Sequence, residues 1–178
     1  MARLKHLWNN GLAVLRARWF LRRVNHLGNK VRVWGNPVVN NWGKIVIGDR
    51  VRIISTVSKT ELMADGGTLE IGAGTYINYG CSFGATELVR IGPNCNIGTH
   101  SILIDNNYHS LEPERRNVRP DPAPIILEEN VWLGARVIVL CGVTIGAGSV
   151  VGAGSVVTQN IPPRSLAVGV PAKVIREL

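Results

Sequence analysis

The chain predicts an all-β solenoid, a column of short strands separated by turns at equal intervals, and three observations carry that prediction. From Leu127 to Ile161 every sixth residue is aliphatic: Leu127, Leu133, Val139, Ile145, Val151 and Val157. Four residues beyond each of these stands a small or aliphatic one, at Val131, Val137, Val143, Ser149, Ser155 and Ile161. Glycine follows the aliphatic position directly at Gly134, Gly146 and Gly152. A period of six matches neither the 3.6 of a helix nor two-residue alternation. It matches one inward side chain per short strand, stacked on its equivalents in neighbouring coils. Each such side chain, fully buried, contributes roughly 1.5–3 kcal/mol.

Composition agrees with a narrow interior. The 178 residues include 20 Gly but only 2 Phe and 3 Tyr, and the length suits one domain with a real core. Cys81 and Cys95 stand at the small inward position of the hexapeptides that start at Ile77 and Ile91. With Cys141 they make an odd, scattered set, which reads as buried thiols in a reducing compartment rather than disulfides or metal ligands. The formal charge of +8 is concentrated in the first 48 residues, which hold nine basic residues and no Asp or Glu. The rest of the chain is close to neutral, which argues against a nucleic-acid face along the solenoid.

Taken in order, residues 1–30 form a basic helical segment and residues 31–178 the solenoid. Leu4, Leu7, Trp8, Leu12, Leu15, Trp19 and Val24 recur at helical spacing, with arginines between them. Asn9, Asn10 and Gly11 interrupt the run, so one helix or two shorter ones fit. No stretch approaches the roughly 20 apolar residues of a membrane span, and the asparagines and arginines break any signal-peptide pattern. Two roles stay open for this segment: a cap on the open end of the solenoid, or an amphipathic helix on an anionic membrane surface. Strand-like alternation starts at Val31 and Val33, with turns at Pro37 and Asn40-Asn41. The six-residue register begins at Ile47 and Ile53, and Lys59 to Gly67 reads as a loop or irregular coil. It resumes at Ile71, Ile77 and Phe83, slips by two after Val89, and continues through Ile91, Ile97 and Leu103. The one long departure is residues 105–124, DNNYHSLEPERRNVRPDPAP, too proline-rich and charged for a narrow coil. A long loop thrown from a regular scaffold points to function. Pro162-Pro163 and Gly169-Val170-Pro171 then introduce a short terminal element.

The hexapeptide run, the loop carrying His109, the Asn-Val-Trp-Leu-Gly segment at 130–134 and the Gly-Val-Pro-Ala-Lys-Val-Ile ending at 169–175 together resemble the hexapeptide-repeat acyltransferases. The resemblance is to the branch of galactoside, maltose and polysaccharide O-acetyltransferases, and it covers roughly Ile47 to the C-terminus. It implies a left-handed parallel β-helix with three hexapeptides per triangular coil, assembled as a homotrimer. It also implies acetyl-CoA as acyl donor, lying in a groove between adjacent subunits, and no metal. By the same resemblance His109 matches the catalytic histidine, although it stands in Asn-Tyr-His-Ser rather than Thr/Gly-His-Pro. Asn78 matches an acceptor-binding asparagine, and Trp132, Ala135, Ala153, Thr158, Lys173 and Arg176 match positions lining the CoA groove. Gln159 stands where a lysine is common. The N-terminal segment does not resemble the one that completes the sugar pocket of the galactoside and maltose enzymes.

The residues themselves support that chemistry. An acceptor hydroxyl becomes a competent nucleophile when a base removes its proton as the bond forms, and a histidine is largely neutral at physiological pH. Of four histidines only His109 lies on the protruding loop; His6 and His26 are in the basic segment, and His100 is inside a regular hexapeptide. No Ser or Cys nucleophile with a matching base stands out, so direct attack on the thioester is expected. Asp105, Glu112 or a backbone carbonyl are the candidates for orienting His109. Lys173 and Arg176, with Arg164 as a third candidate, suit the phosphates of CoA.

The expected activity is acetyl-CoA-dependent O-acetylation of a sugar or surface-polysaccharide precursor, in the cytoplasm and with the basic segment open to a peripheral place on the inner membrane face. N-acetylation of an amino sugar or an antibiotic is the alternative. A gamma-carbonic-anhydrase-like hydratase would need three metal-binding histidines, and His100 and His109 are the only two in the solenoid region. A non-catalytic scaffold or ice-binding surface would need no such loop, and the threonine rows of an ice-binding face are missing.

Overall fold

The computed structural model describes residues 2–178, with side chains from Asn10 onward. The chain winds into a left-handed parallel β-helix of about 7 turns. Its triangular cross-section has three faces. The first carries His26–Leu27, Lys44–Ile47, Thr68–Ile71, Leu88–Ile91, Ile125–Leu127 and Thr144–Ile145. The second carries Arg32–Gly35, Arg52–Ser55, Tyr76–Ile77, Asn96–Ile97, Trp132–Leu133, Val150–Val151, Ser165–Gly169 and Ala172–Glu177. The third carries Val38–Asn41, Glu61–Ala64, Ser82–Ala85, Ile102–Ile104, Ile138–Val139 and Val156–Val157. All pairs are parallel except the last on the second face, where Ala172–Glu177 folds back antiparallel on Ser165–Gly169.

Each face contributes an inward column of large aliphatic residues, and the longer strands bury a second position two residues away, as Ile45 and Ile47 do. Ile53, Ile77, Ile97, Leu133, Val151 and Ala167 are successive register partners on the second face, and all are buried. Leu62, Phe83, Leu103, Val139 and Val157 form the third-face column. Phe83, the one fully buried aromatic among the described residues, stacks between Leu62 and Leu103 in this column. At the corners the chain must turn sharply, and many corner residues take positive φ. Gly80 is one, at φ +74, and a Cβ there would sit 2.4 Å from the His100 Nδ1 of the next coil. Gly134 serves a different need: a Cβ on it would meet the Ala153 backbone nitrogen at 2.6 Å.

Three stretches differ from the sequence expectation. Lys59 to Gly67 is not irregular. Glu61–Ala64 is a strand that pairs in register with Val38–Asn41 and Ser82–Ala85. Its preceding corner is long, so Leu62 stands nine residues after Ile53 instead of six. Thr60 fixes that corner by donating its hydroxyl to the Ile54 and Asn78 carbonyls. Coiling also begins earlier than Ile47, since Val33 already pairs with Ile53 and Val39 with Leu62. Asn40-Asn41 therefore ends a strand rather than forming a turn. The slip after Val89 comes from a corner at Thr86 and Glu87, again longer than the regular one.

The N-terminal segment is one helix, α1 (Ala2–Phe20), running through Gly11. It caps the open end. Ala13, Ala17 and Leu21, at i, i+4 and i+8, are buried against the first coil, and small Ala side chains let the helix axis approach the strand Arg32–Gly35 closely. The helical stripe read from the sequence lies elsewhere: Leu12, Leu15 and Trp19 are exposed. Leu4, Leu7 and Trp8 lie outside the described side chains. No helix among the described residues is long and apolar enough to cross a membrane.

Candidate active site

The outer surface of the second face carries two parallel columns. One runs through Arg52, Tyr76, Asn96, Trp132, Val150 and Leu166 to Arg176, each the register partner of the last. The neighbouring column runs through Asn78, Gly98, Gly134, Gly152 and Val168 to Lys173. These positions point outward because side chains alternate along a strand, and the hexapeptide period allots the inward one to the aliphatic residue. From Asn78 to Lys173 is five strand steps, about 24 Å at about 4.8 Å each. Glycines in the second column leave a furrow floored by backbone. Near its start lies a groove of about 520 Å³, lined by Tyr76, Asn78, Asn96, Asn130 and Trp132. Ala135 and Ala153 stack at the corner beside the furrow, where Gly154 N–H donates to the Ala135 carbonyl at 2.8 Å. A second hollow of about 170 Å³ at the C-terminal end is lined by Thr158, Gln159, Asn160, Ala172 and Lys173.

Of the residues expected along the CoA groove, Trp132, Lys173 and Arg176 lie on second-face strands and Ala135 and Ala153 at the corner of that face, while Thr158 follows the third-face strand Val156–Val157. Trp132 and Asn78 lie in the larger groove, Thr158 and Lys173 in the smaller, and Arg176 ends the Trp132 column. Arg164 is exposed and its backbone pairs with Ala147 and Leu178; neither hollow includes it. Tyr76 and Asn96 are not among the residues the sequence singles out, and Asn130 enters only as part of the segment at 130–134. Their signal is the period itself, because each stands on the outward side of a coil between inward aliphatics.

His109 lies apart from both hollows. Its loop leaves the corner between the third and first faces, after Ile102–Ile104 and before Ile125–Leu127. The loop is closed at its base by Ala123 N–H donating to the Asp105 carbonyl at 2.9 Å. Asp105 itself is buried, and its carboxylate accepts the backbone N–H groups of Thr86, Glu87 and Leu88 at 2.8, 2.8 and 2.7 Å. Asn106 donates to the Thr86 hydroxyl at 2.7 Å, and Cys141 Sγ lies 3.5 Å from Asn107 Oδ1. Further out, Arg119 bonds Asp65 at 3.2 Å and sits 5.3 Å from the Tyr108 ring centroid.

This arrangement decides between the three candidate orienters. Asp105 is committed to backbone amides. Glu112 accepts the Ser110 hydroxyl, which holds its carboxyl below the usual range. The partner of His109 is a backbone carbonyl, that of Arg116, 3.0 Å from Nδ1. A carbonyl only accepts, so Nδ1 carries the proton and Nε2 keeps a free lone pair on the exposed side of the ring. A backbone partner leaves no mark in residue identity, so only the structure finds it.

His100 has a structural role. It takes positive φ at a corner and its ring packs edge-to-face on Tyr79, centroids 5.5 Å apart. Among the described residues no three His, Cys, Asp or Glu side chains gather as a metal-ligand group. Cys81 and Cys95 are buried in the interior as free thiols and donate to the Gly98 and Glu128 carbonyls, both at 3.1 Å.

Residues 124–159 match the family model described as hexapeptide repeat of succinyl-transferase. A solved hexapeptide-repeat-containing acetyltransferase from Vibrio cholerae is 30% identical, with 99% of this chain and 88% of that one covered and a TM-score of 0.69. A second structure, of such an acetyltransferase from Vibrio cholerae O1 biovar eltor complexed with acetyl coenzyme A, is 33% identical, with 99% and 84% covered and a TM-score of 0.64. A galactoside O-acetyltransferase from Escherichia coli (strain K12) is 39% identical over 113 residues, 64% of this chain and 56% of that one. The chain spans about half the length of the curated relatives it matches.

Proposed function

Because the chain belongs to the hexapeptide-repeat acyltransferases, we propose that it transfers the acetyl group of acetyl-CoA to a hydroxyl of a sugar or surface-polysaccharide precursor. The observation that carries this reading is the state of His109. With Nδ1 donating to the Arg116 carbonyl, Nε2 is free to take the hydroxyl proton as the acceptor oxygen attacks the thioester carbonyl. The C–O bond forms, the C–S bond breaks, and the imidazolium returns its proton to the departing CoA sulfur. The products are an acetyl ester and CoA thiol, with His109 neutral again.

The furrow along the second face suits an extended donor. Trp132, Ala135 and Ala153 supply apolar and small contacts along it, Thr158 meets Lys173 in the C-terminal hollow, and Lys173 and Arg176 bring positive charge to the far end for phosphates. At the near end, Asn78, Asn96 and Asn130 offer amides, and Tyr76 and Trp132 offer aromatic faces. Amides for hydroxyls and flat rings for C–H surfaces are a combination that fits a sugar.

His109 and Asn78 flank opposite edges of the third face, so a single chain does not bring them to one point. A homotrimer does, if neighbouring chains meet across that face. The outer surface there is apolar, with Met63, Ile102, Ile104, Ile138, Leu140 and Val156 half-buried or exposed in the single chain. The His109 edge of one copy would then meet the Asn78 groove of the next. A cytoplasmic location is in keeping with the free thiols. The test is a transfer screen with radiolabelled acetyl-CoA against free sugars, nucleotide sugars, amino sugars and lipid-linked glycans. Label in base-labile ester on a sugar hydroxyl is expected, and label confined to amines would contradict O-acetylation.

A further inference from the structure

The helix that closes the first coil is apolar on two opposite sides. At 3.6 residues per turn, Ala13, Ala17 and Leu21 form the side that packs on the solenoid, all buried. Leu12, Leu15 and Trp19 form the other, 45%, 62% and 66% exposed. By the same spacing Arg16 and Arg18 border this outer strip on either flank, and Arg22 and Arg23 follow in the turn at its end; all four are exposed. Arg22 reaches back over the Trp19 ring, 5.0 Å from its centroid, and donates to the Trp19 carbonyl at 2.9 Å. A second tryptophan, Trp42, is 69% exposed at the same end of the column. Its neighbour Asn41 donates to the Arg23 carbonyl at 2.8 Å and so ties this corner to the helix end. No acidic residue precedes Asp49.

Capping therefore occupies one side of α1 and leaves the other without an explanation inside the chain. We propose that the outer side of α1, with Leu12, Leu15, Trp19 and the flanking arginines, docks on a bilayer rich in anionic lipid. The helix lies flat at headgroup depth, its apolar strip buried toward the acyl boundary and its guanidinium groups at the lipid phosphates. Charge complementarity selects this occupant, because the strip is bordered by arginines and the surrounding sequence carries no carboxylate to offset them. Tryptophan beside arginine is the side-chain pairing of a membrane–water interface. The solenoid would stand with its first coil at the membrane and the furrow rising away from it. Nothing in this depends on the acetyltransferase reading.

The test is flotation of the full chain with vesicles of phosphatidylcholine plus phosphatidylglycerol, compared with phosphatidylcholine alone. Binding is expected to the anionic vesicles only and to weaken as salt rises. Leu15→Ser with Trp19→Ser should lower partitioning about tenfold or more, with thermal midpoint and assembled mass unchanged. Arg16→Gln with Arg18→Gln should lower it about fivefold per arginine, and this pair decides the matter should the serine variant fail to fold. Absence of flotation with anionic vesicles, or undiminished flotation of the folded variants, overturns the proposal. A drop in assembled mass of the serine variant also overturns it, by assigning this side of the helix to contact between copies.

Discussion

Three aspartate and cysteine side chains show how much depends on burial at the scale of one residue. Cys81 and Cys95 face the interior, and burial pushes both thiols up from about 9.0 to about 11. The neutral form is favoured in the folded chain, so between those two values the unfolded chain binds fewer protons than the folded one. Each thiol then contributes stability that is present below pH 9 and lost as pH rises toward 11. Chemical denaturation across that range should show a decline that is smaller in Cys81→Ala with Cys95→Ala, measured against each protein's own value at neutral pH. In native protein at pH 8 only the half-buried Cys141 should react with a maleimide, which mass spectrometry of the labelled peptides checks. Asp105 is the other case. Replacing it with Ala removes the acceptor of three partly buried N–H groups, at a cost of roughly 1–3 kcal/mol. Because its carboxylate ties the start of the His109 loop to the corner at Thr86 and Glu87, transfer should fall well beyond what the lost stability alone explains at a temperature where the variant stays folded. The sequence identified His109 by its position on a loop. It left open whether Asp105 orients the histidine or does something else, because acid–base potential is visible in a residue's identity and its hydrogen-bond partners are not.

At the scale of strands and coils, the clearest readings came where the period was purest. From Leu127 to Val157 register partners stand 18 residues apart, as Leu127 and Ile145 or Leu133 and Val151 show, and every inward aliphatic there is legible; the final coil is shorter, with Ala167 16 residues after Val151. Earlier coils insert residues at corners, and the strand Glu61–Ala64 disappeared behind one such insertion although Leu62 and Ala64 point inward like the rest. The α1 stripe failed for another reason. Bulky apolar residues signal a buried face in most helices, but here close approach to the strand needs Ala13 and Ala17, whose small side chains give a weak signal. The two kinds of stabilisation in the coils can be separated by substitution. Leu133→Ala removes a stacked side chain and should cost about 2–5 kcal/mol. Gly134→Ala adds a single carbon yet directs it at backbone, 2.6 Å from the Ala153 nitrogen, so the two coils must separate. Urea denaturation should place both well below the parent. Parental stability in the Gly134→Ala variant would contradict the close approach of these coils.

For the molecule as a whole, the third face is where the proposed trimer would bring its copies together. The proposed trimer joins the His109 edge of one copy to the Asn78 edge of another, so assembly and activity should be lost together. Ile138→Asp puts a charge in the middle of the apolar outer surface without touching the inward column, whose member there is Val139. Sedimentation should show a monomer, with the β-rich circular dichroism retained and transfer abolished. A monomeric variant with full activity would separate the site from the assembly. Fold class, loop and donor were legible because a repeat writes its geometry at every sixth position. The proposal of a site shared between copies rests on the family resemblance, since neither hollow contains His109.

The central claim is that the free Nε2 of His109 takes the acceptor proton, and the most direct measurement compares wild type with His109→Ala for acetyl transfer and CoA binding in the same preparation. The residue is exposed on a loop and outside the stacked columns, so the thermal midpoint should move little, within about 0.5 kcal/mol of stability. CoA affinity by calorimetry should be unchanged, because the furrow residues lie elsewhere. Transfer should fall by roughly 10²–10⁴, the usual worth of a positioned general base. A folded, CoA-binding His109→Ala variant that transfers acetyl groups at the wild-type rate would contradict the account.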